Sequence, residues 1–383
     1  MFDETEELIR GIYQTNEAIP LHQPLMIGKE KENALHAIDT NFVSSVGHYV
    51  DRFEGELSDY TGSKKSVAVV NGTAALQVGL RLIGVKKNDE VITQALTFVA
   101  TANAIAYNNA HPIFLDVDFD TMGLSPKAVS GFLDEFGELR EDGCYNKSTG
   151  RKISACMPMH TFGFPVHLDE LIKVCNLWKI PIVEDAAESL GSQYKGMPAG
   201  SFGEVGAFSF NGNKIVTAGG GGAILTHDES LAKKAKHLTT TAKVPHKWKY
   251  EHDCVGYNYR MPNLNAALIC AQLEGLDKFV DSKRETAKQY EAFFEDCEYA
   301  NFIKEPGQGC SNYWLNAILV PDRSTRDDIL SKTNQLGVMT RPMWTPMPSL
   351  PMFENCLQFE IVNARAIENQ LINLPSSVVS ANP

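Results

Sequence analysis

Apolar positions recur along this chain in two rhythms. From residue 66, short β-branched runs alternate with stretches whose apolar residues return every three or four positions. SVAVV (66–70) predicts a strand, and NGTAALQVGLRLIG directly after it predicts a helix. EVIT (90–93) predicts a second strand, followed by a helix from about Phe98 to Tyr107. PIFLDV (112–117) is the third, and Ser125 and Pro126 then open a helix in SPKAVSGFLDEF. ISACMPM, IPIVE, VGAFSF and AILT continue the series. Strands alternating with helices predict an α/β fold, its sheet mainly parallel and sandwiched by helices. One connection breaks the rhythm: GELREDGCYNKSTGRK (137–152) is polar and turn-rich, and predicts an exposed excursion.

After about residue 245 the pattern changes. MPNLNAALICAQLEGLDKFVDSKRETAKQYEAFFED predicts one long helix, or two joined near Gly275. The remainder mixes short strands with Pro-rich segments such as TRPMWTPMPSLPMF. The expected division is a large domain over 1–245 and a smaller C-terminal α+β domain over 246–383. A chain of 383 residues, at about 150 residues per domain, also favours two.

Composition narrows the classes. With 43% hydrophobic and 21% charged residues, the chain is neither disordered nor collagen-like. Its longest apolar run is six residues, Ala266 to Ala271, where a membrane span needs about 18. The acidic start MFDETEELIRGIY is unlike a signal peptide, so a cytoplasmic location is expected. Thirty-five Lys and Arg against 47 Asp and Glu leave a net charge of −12, which argues against a nucleic-acid partner. Lys233 to Lys249 departs from that balance, with six lysines and no acid. It is either a solvated helix end and loop or a patch facing an anionic substrate. The eight cysteines are scattered and never form CxxC, so neither a zinc site nor a disulfide frame is expected.

In parallel α/β sheets, ligands collect at the carboxyl ends of the strands. Four such ends carry suggestive residues. Asn71-Gly72-Thr73 follows SVAVV and opens a helix, as either an ordinary N-cap or a phosphate site. Glu184-Asp185 closes IPIV, where a buried carboxylate needs a cationic partner: a protonated heterocyclic nitrogen or a structural Arg. Ser209 lies in VGAFSF. Lys214 follows that strand, ahead of Gly219–Gly222, as a solvated lysine or a Schiff-base nucleophile. A phosphate-binding helix start, a strand-end acid and a strand-end amine, in that order, are what pyridoxal phosphate requires. Phe98 in ALTFVAT either covers the ring face or belongs to the core.

NGTAAL, TFVATANAI, EDAAESLGS, SFNGNKIVTAGGGGA and GYNYRMPNLNAAL together resemble the sugar-nucleotide aminotransferases of the DegT/StrS type, fold-type I pyridoxal-phosphate enzymes. The resemblance runs from about Ile19 to NLPSSV. FVSSVGHYVDRFE, ITQALTFVATANAIAY, TTTAKVPH and TRPMWT are most similar to the LegC type, which aminates a UDP-linked 4-keto-6-deoxy-N-acetylhexosamine toward legionaminic-acid-like sugars. The resemblance implies that Lys214 holds the cofactor and shuttles the proton, and that Asp185 pairs with the pyridine nitrogen. Gly72, Thr73 and Ser209 would hold the phosphate, Phe98 would stack on the ring, and Glu188 would lie near the ring hydroxyl or the substrate. Asn258 of GYNYR would reach the phosphate of a neighbouring subunit's cofactor, which implies a homodimer with shared sites. Arg260 would meet a substrate carboxylate or the sugar nucleotide. His160 and Trp344 are either pocket residues or structural ones, and Lys243 is a candidate for diphosphate contact. L-Glutamate and 2-oxoglutarate would be the donor pair.

Two positions depart from the family pattern. Gly220 stands where many members have Glu, and Pro348 where many have His. Lys214 is kept, where dehydratase-like members carry His, so transamination is favoured. A dTDP- or GDP-linked 3-keto or 4-keto sugar is the alternative substrate. Two rivals of other classes are a nicotinamide-dependent oxidoreductase, for which residues 71–76 lack GxGxxG, and a non-catalytic cofactor-binding regulator.

Overall fold

The computed structural model describes residues 2–379. The predicted β-branched runs form the strands of the main sheet. In spatial order they are Lys65–Val69, Gly222–Thr226, Val205–Ser209, Val183–Asp185, Lys152–Met157, Glu90–Gln94 and His111–Leu115, with Leu357–Phe359 added at the far edge. Isolated parallel bridges, Cys156 to Ile182 and Met159 to Asp185, join its two halves. Only Gly222–Thr226 runs antiparallel to its neighbours in this series. The mainly parallel α/β sheet is therefore as expected.

Helices cover both faces. On one, Leu76 and Leu80 of the Gly72–Leu82 helix pack with Val69, Val183 and Val205. On the other, Val129 and Leu133 of Pro126–Phe136 and Leu171 of Leu168–Leu177 pack with Ile92, Ile113 and Leu115. Each such buried side chain contributes roughly 1.5–3 kcal/mol. Ser125 caps the Pro126–Phe136 helix through the Ala128 amide, as its sequence predicts.

The 137–152 segment differs from expectation. It folds into a hairpin, Gly137–Arg140 with Gly143–Asn146, and the second strand pairs with Lys152–Met157. Cys144 and Asn146 are buried, and Asn146 donates to Glu90 Oε2 at 2.9 Å, so the excursion extends the sheet.

The long apolar stretch after residue 261 is two helices, Asn263–Leu273 and Leu276–Phe294, joined at Gly275. Asn263 ties the first to the N-terminal part of the chain: its Oδ1 accepts from the amides of Tyr49 and Val50 at 3.1 and 3.3 Å. A second, antiparallel sheet orders Asn301–Phe302, Asn316–Leu319, Leu371–Leu374 and Arg341–Pro342. Among the described residues, no helix is long and apolar enough to cross a membrane.

Candidate active site

A cavity of about 710 Å³ opens where strands of the main sheet end. Its wall takes Asn71, Gly72 and Thr73 after Lys65–Val69, Phe98 after Glu90–Gln94, and Met159 after Lys152–Met157. Asp185 and Ser209 close their own strands and complete this side. The size suits a small-molecule site, and the place is where parallel sheets bind ligands.

At one end of the cavity the Gly72–Leu82 helix begins. Asn71 Oδ1 accepts from the Ala74 amide at 2.8 Å, which fixes the turn and points the positive helix end at the wall. Gly72 is required by space: a Cβ there would lie 2.8 Å from Ser209 Cβ and 3.2 Å from its Oγ. Helix start and hydroxyl thus share a small volume of the kind a phosphate fills.

Asp185 is 2% exposed. Its Oδ2 accepts from Thr101 Oγ1 at 2.7 Å and its Oδ1 from the Ala187 amide at 3.2 Å. Burial pushes its pKa up, with the Thr101 hydrogen bond pulling the other way. Among the described residues it forms no ion pair. A buried carboxylate on a cavity wall can pair with a protonated ligand nitrogen, such as that of a pyridine ring.

Lys214 is 9% exposed. Its Nζ donates to Glu188 Oε1 at 3.1 Å and stands 4.1 Å from the Trp314 ring centre. Glu188 Oε2 also accepts from the Phe162 amide at 2.9 Å, and burial pushes the Glu188 pKa up against the pull of Lys214. Asn312 links both neighbours of the amine: its Nδ2 donates to the Glu188 carbonyl at 2.9 Å, and its Oδ1 accepts from the Trp314 amide at 2.8 Å. Trp314 Nε1 in turn donates to the Asn213 carbonyl at 2.8 Å, beside Lys214. Phe98, Trp344 and Phe162 form an aromatic flank, with centroid distances of 5.9 and 5.1 Å.

Of the residues singled out in the sequence, Gly72, Thr73, Phe98, Asp185, Glu188, Ser209, Lys214 and Trp344 line this one cavity. Four do not. His160 is fully buried and sits 2.9 Å from Glu184 Oε2 beneath the wall. Strand alternation turns Glu184 away from the side Asp185 faces, and His160 serves Glu184. Burial works to raise the Glu184 pKa, but His160 and the amides of Gly203 and Gly200 outweigh it and hold the carboxylate low. Asn258 and Arg260 are exposed and bond each other, Arg260 Nη2 donating to Asn258 Oδ1 at 2.9 Å. Lys243 lies over Tyr250 at 4.3 Å, away from the cavity. The lysine tract is divided. Lys233, Lys234 and Lys236 lie on the Glu229–Thr239 helix, where Lys236 pairs with Glu54 at 2.5 Å, so it is not one patch.

Thr101, Trp314, Arg341 and Asn373 also belong here and were not anticipated. Thr101 follows Phe98 by one helical turn, which is a readable signal once Asp185 is placed. Trp314 lies 100 positions beyond Lys214, and nothing local announces the contact.

A mainly parallel sheet with a buried lysine and a buried acid at its ligand edge is the arrangement a pyridoxal-phosphate enzyme of fold type I requires. The chain belongs to the DegT/DnrJ/EryC1/StrS aminotransferase family, whose model matches residues 25–381. It is 37% identical over 339 residues, 88% of this chain and 84% of the relative, to the putative pyridoxal phosphate-dependent aminotransferase EpsN of Bacillus subtilis. It is 33% identical over 358 residues, 94% of this chain and 93% of the relative, to the GDP-perosamine synthase of Escherichia coli O157:H7. Among solved structures, the aminotransferase TlmJ from Streptoalloteichus hindustanus superposes with a TM-score of 0.85 at 25% identity, covering 94% of this chain and 93% of that one. Helicobacter pylori PseC reaches 0.85 at 21% identity, covering 94% of each chain, which speaks for the fold. The chain is thus a pyridoxal-phosphate-dependent aminotransferase.

Proposed function

We propose that the enzyme moves the amino group of L-glutamate to the keto carbon of a 4-keto-6-deoxy sugar carried on a nucleoside diphosphate, leaving 2-oxoglutarate. The observation that carries this reading is the meeting of Lys214, Asp185 and the Gly72 helix start in one cavity. Relatives matched over nearly the whole chain and named for amino-sugar nucleotides support the substrate class. Bound pyridoxal phosphate supplies an electron sink for the carbanion at the amino-bearing carbon. Asp185, ionised, keeps the ring nitrogen protonated. Gly72, Thr73 and Ser209 hold the phosphate, and Phe98 covers the ring. Lys214 would anchor the cofactor, and its amine would move the proton at the amino-bearing carbon. Glu188 holds the Lys214 amine in reach at 3.1 Å, and Phe98 and Trp344 stand 5.9 Å apart on the cavity flank.

In the same reading the protein is a homodimer in which exposed Asn258 and Arg260 reach the neighbouring subunit's site. Its cofactor domain covers 1–245 and its smaller domain 246–383. UDP-linked N-acetylhexosamine is the first candidate substrate, on the likeness of TRPMWT and FVSSVGHYVDRFE to the LegC type. A GDP-linked sugar is the second, on the relative named GDP-perosamine synthase. A coupled assay with glutamate against UDP-, GDP- and dTDP-linked 4-keto and 3-keto sugars tests this. Turnover confined to 4-keto-6-deoxy substrates is expected; exclusive use of 3-keto sugars, or of none, contradicts it.

A further inference from the structure

The cavity wall carries four ionisable side chains: Asp185, Glu188, Lys214 and Arg341. Lys214 and Glu188 neutralise each other at 3.1 Å, and Asp185 is committed to the ring nitrogen. Among the described residues, Arg341 is left as the one wall cation without an acid, in a chain of net charge −12. Its Nη1 donates to Asn334 Oδ1 at 2.8 Å and to the Thr340 carbonyl at 2.7 Å. Those bonds aim the guanidinium and leave Nε and Nη2 without a partner among the described residues.

Asn373 is the register partner of Arg341 across the antiparallel pair, so the two side chains share a face of the sheet. Asn373 is 3% exposed and also lines the cavity. Its Nδ2 is directed at the Pro342 carbonyl, 3.5 Å away, while its Oδ1 is shielded from solvent and has no donor. An unsatisfied buried amide oxygen costs about 1–3 kcal/mol, and such groups call for an explanation. One cavity therefore holds an unneutralised cation beside an acceptor lacking its donor.

We propose that Arg341 and Asn373 form the subsite that reads the sugar nucleotide, Arg341 taking a diphosphate oxyanion and Asn373 Oδ1 accepting from a sugar hydroxyl. The inference rests on the sugar-nucleotide reading above and names the residues that serve it. The amino donor fits less well. With its amino group engaged at the cofactor, glutamate offers carboxylates, which suit Arg341 but bring no proton to Asn373. A sugar nucleotide brings both an oxyanion and hydroxyl donors. Arg is also the residue whose planar fork matches a phosphate.

The test separates the two substrates. Holoenzyme is titrated calorimetrically with UDP, GDP and UDP-N-acetylglucosamine, and the glutamate half-reaction is followed separately by absorbance. Arg341→Met is expected to weaken nucleotide binding about tenfold to hundredfold, as loss of a charged hydrogen bond does. Asn373→Ser is expected to weaken UDP-N-acetylglucosamine severalfold while sparing UDP. In both variants the constant for glutamate should move less than nucleotide binding does. Arg341 is exposed, so its variant should fold; Arg341→Lys provides a second reading of the same site. Unchanged nucleotide binding in Arg341→Met overturns the proposal, and so does a loss confined to glutamate. Failure of the wild-type enzyme to aminate any sugar nucleotide would instead sink the functional reading, whatever Arg341 does.

Discussion

Asp185 and Glu184 are neighbours in the chain and meet opposite surroundings, because a strand turns successive side chains to opposite faces. Both were legible as strand-end carboxylates. Which one faces the cavity, and that His160 serves the other, depends on a register no spacing reveals. Folding raises the Asp185 pKa, so the native state binds more protons than the unfolded chain between the ordinary carboxylate value and the raised one. The apoprotein accordingly loses stability as pH rises through that window. Asp185→Asn should therefore leave the apoprotein at least as stable at neutral pH while cutting transamination by about 10²-fold or more. Thermal melts and single-turnover rates check the pair of outcomes; a destabilised apoprotein with normal turnover would reverse the assignment. Lys283 shows the opposite sign. It is fully buried, donates to the carbonyls of Trp314 (3.2 Å) and Ser376, and burial pulls its pKa down to about 7. The unfolded chain then binds the extra proton, so this group adds stability as pH climbs from about 7 toward its ordinary value. Lys283→Met should flatten that rise, measured by melts across pH, and at the alkaline end should lower Tm by leaving the Trp314 and Ser376 carbonyls without their donor.

The Gly72–Leu82 helix was the most legible element, because its strand, cap and apolar face agree. Asn71→Ala removes one cap bond and should cost about 1 kcal/mol of stability by denaturant titration. Gly72→Ala should act on both the fold and the cofactor: its Cβ would lie 2.8 Å from Ser209 Cβ and force a shift, so it should lower stability and also release pyridoxal phosphate during dialysis. Equal cofactor retention in both variants would contradict the cradle. Legibility failed in two places, for different reasons. The 137–152 segment reads as a polar loop, since a hairpin at a sheet edge needs few apolar residues. The lysine tract reads as either a solvated helix end and loop or a patch, and sequence could not decide between them because the pairing of Lys236 with Glu54 crosses 182 positions.

At the scale of the whole molecule, length pointed to two parts and composition to an acidic globular chain. The alternation of strands and helices gave the sheet, and the order of three strand ends gave most of the cavity wall. The second sheet's contribution, through Arg341 and Asn373, was not readable, because register across 32 residues decides it. Asn258 and Arg260 lie outside the cavity of their own chain, and the dimer proposed for them has a direct check. Mixing Lys214→Ala subunits with Asn258→Ala subunits should restore part of the activity each lacks alone; a mixture no better than its components would argue for self-contained sites.

The central claim is that Lys214 and Asp185 together run an amino transfer. Absorbance of the holoenzyme during a glutamate titration tests it most directly. The holoenzyme should be yellow and bleach with glutamate, releasing 2-oxoglutarate stoichiometrically, and the Lys214→Ala variant should gain no such colour and turn nothing over. A Lys214→Ala variant that still bleaches and transfers the amino group would contradict it.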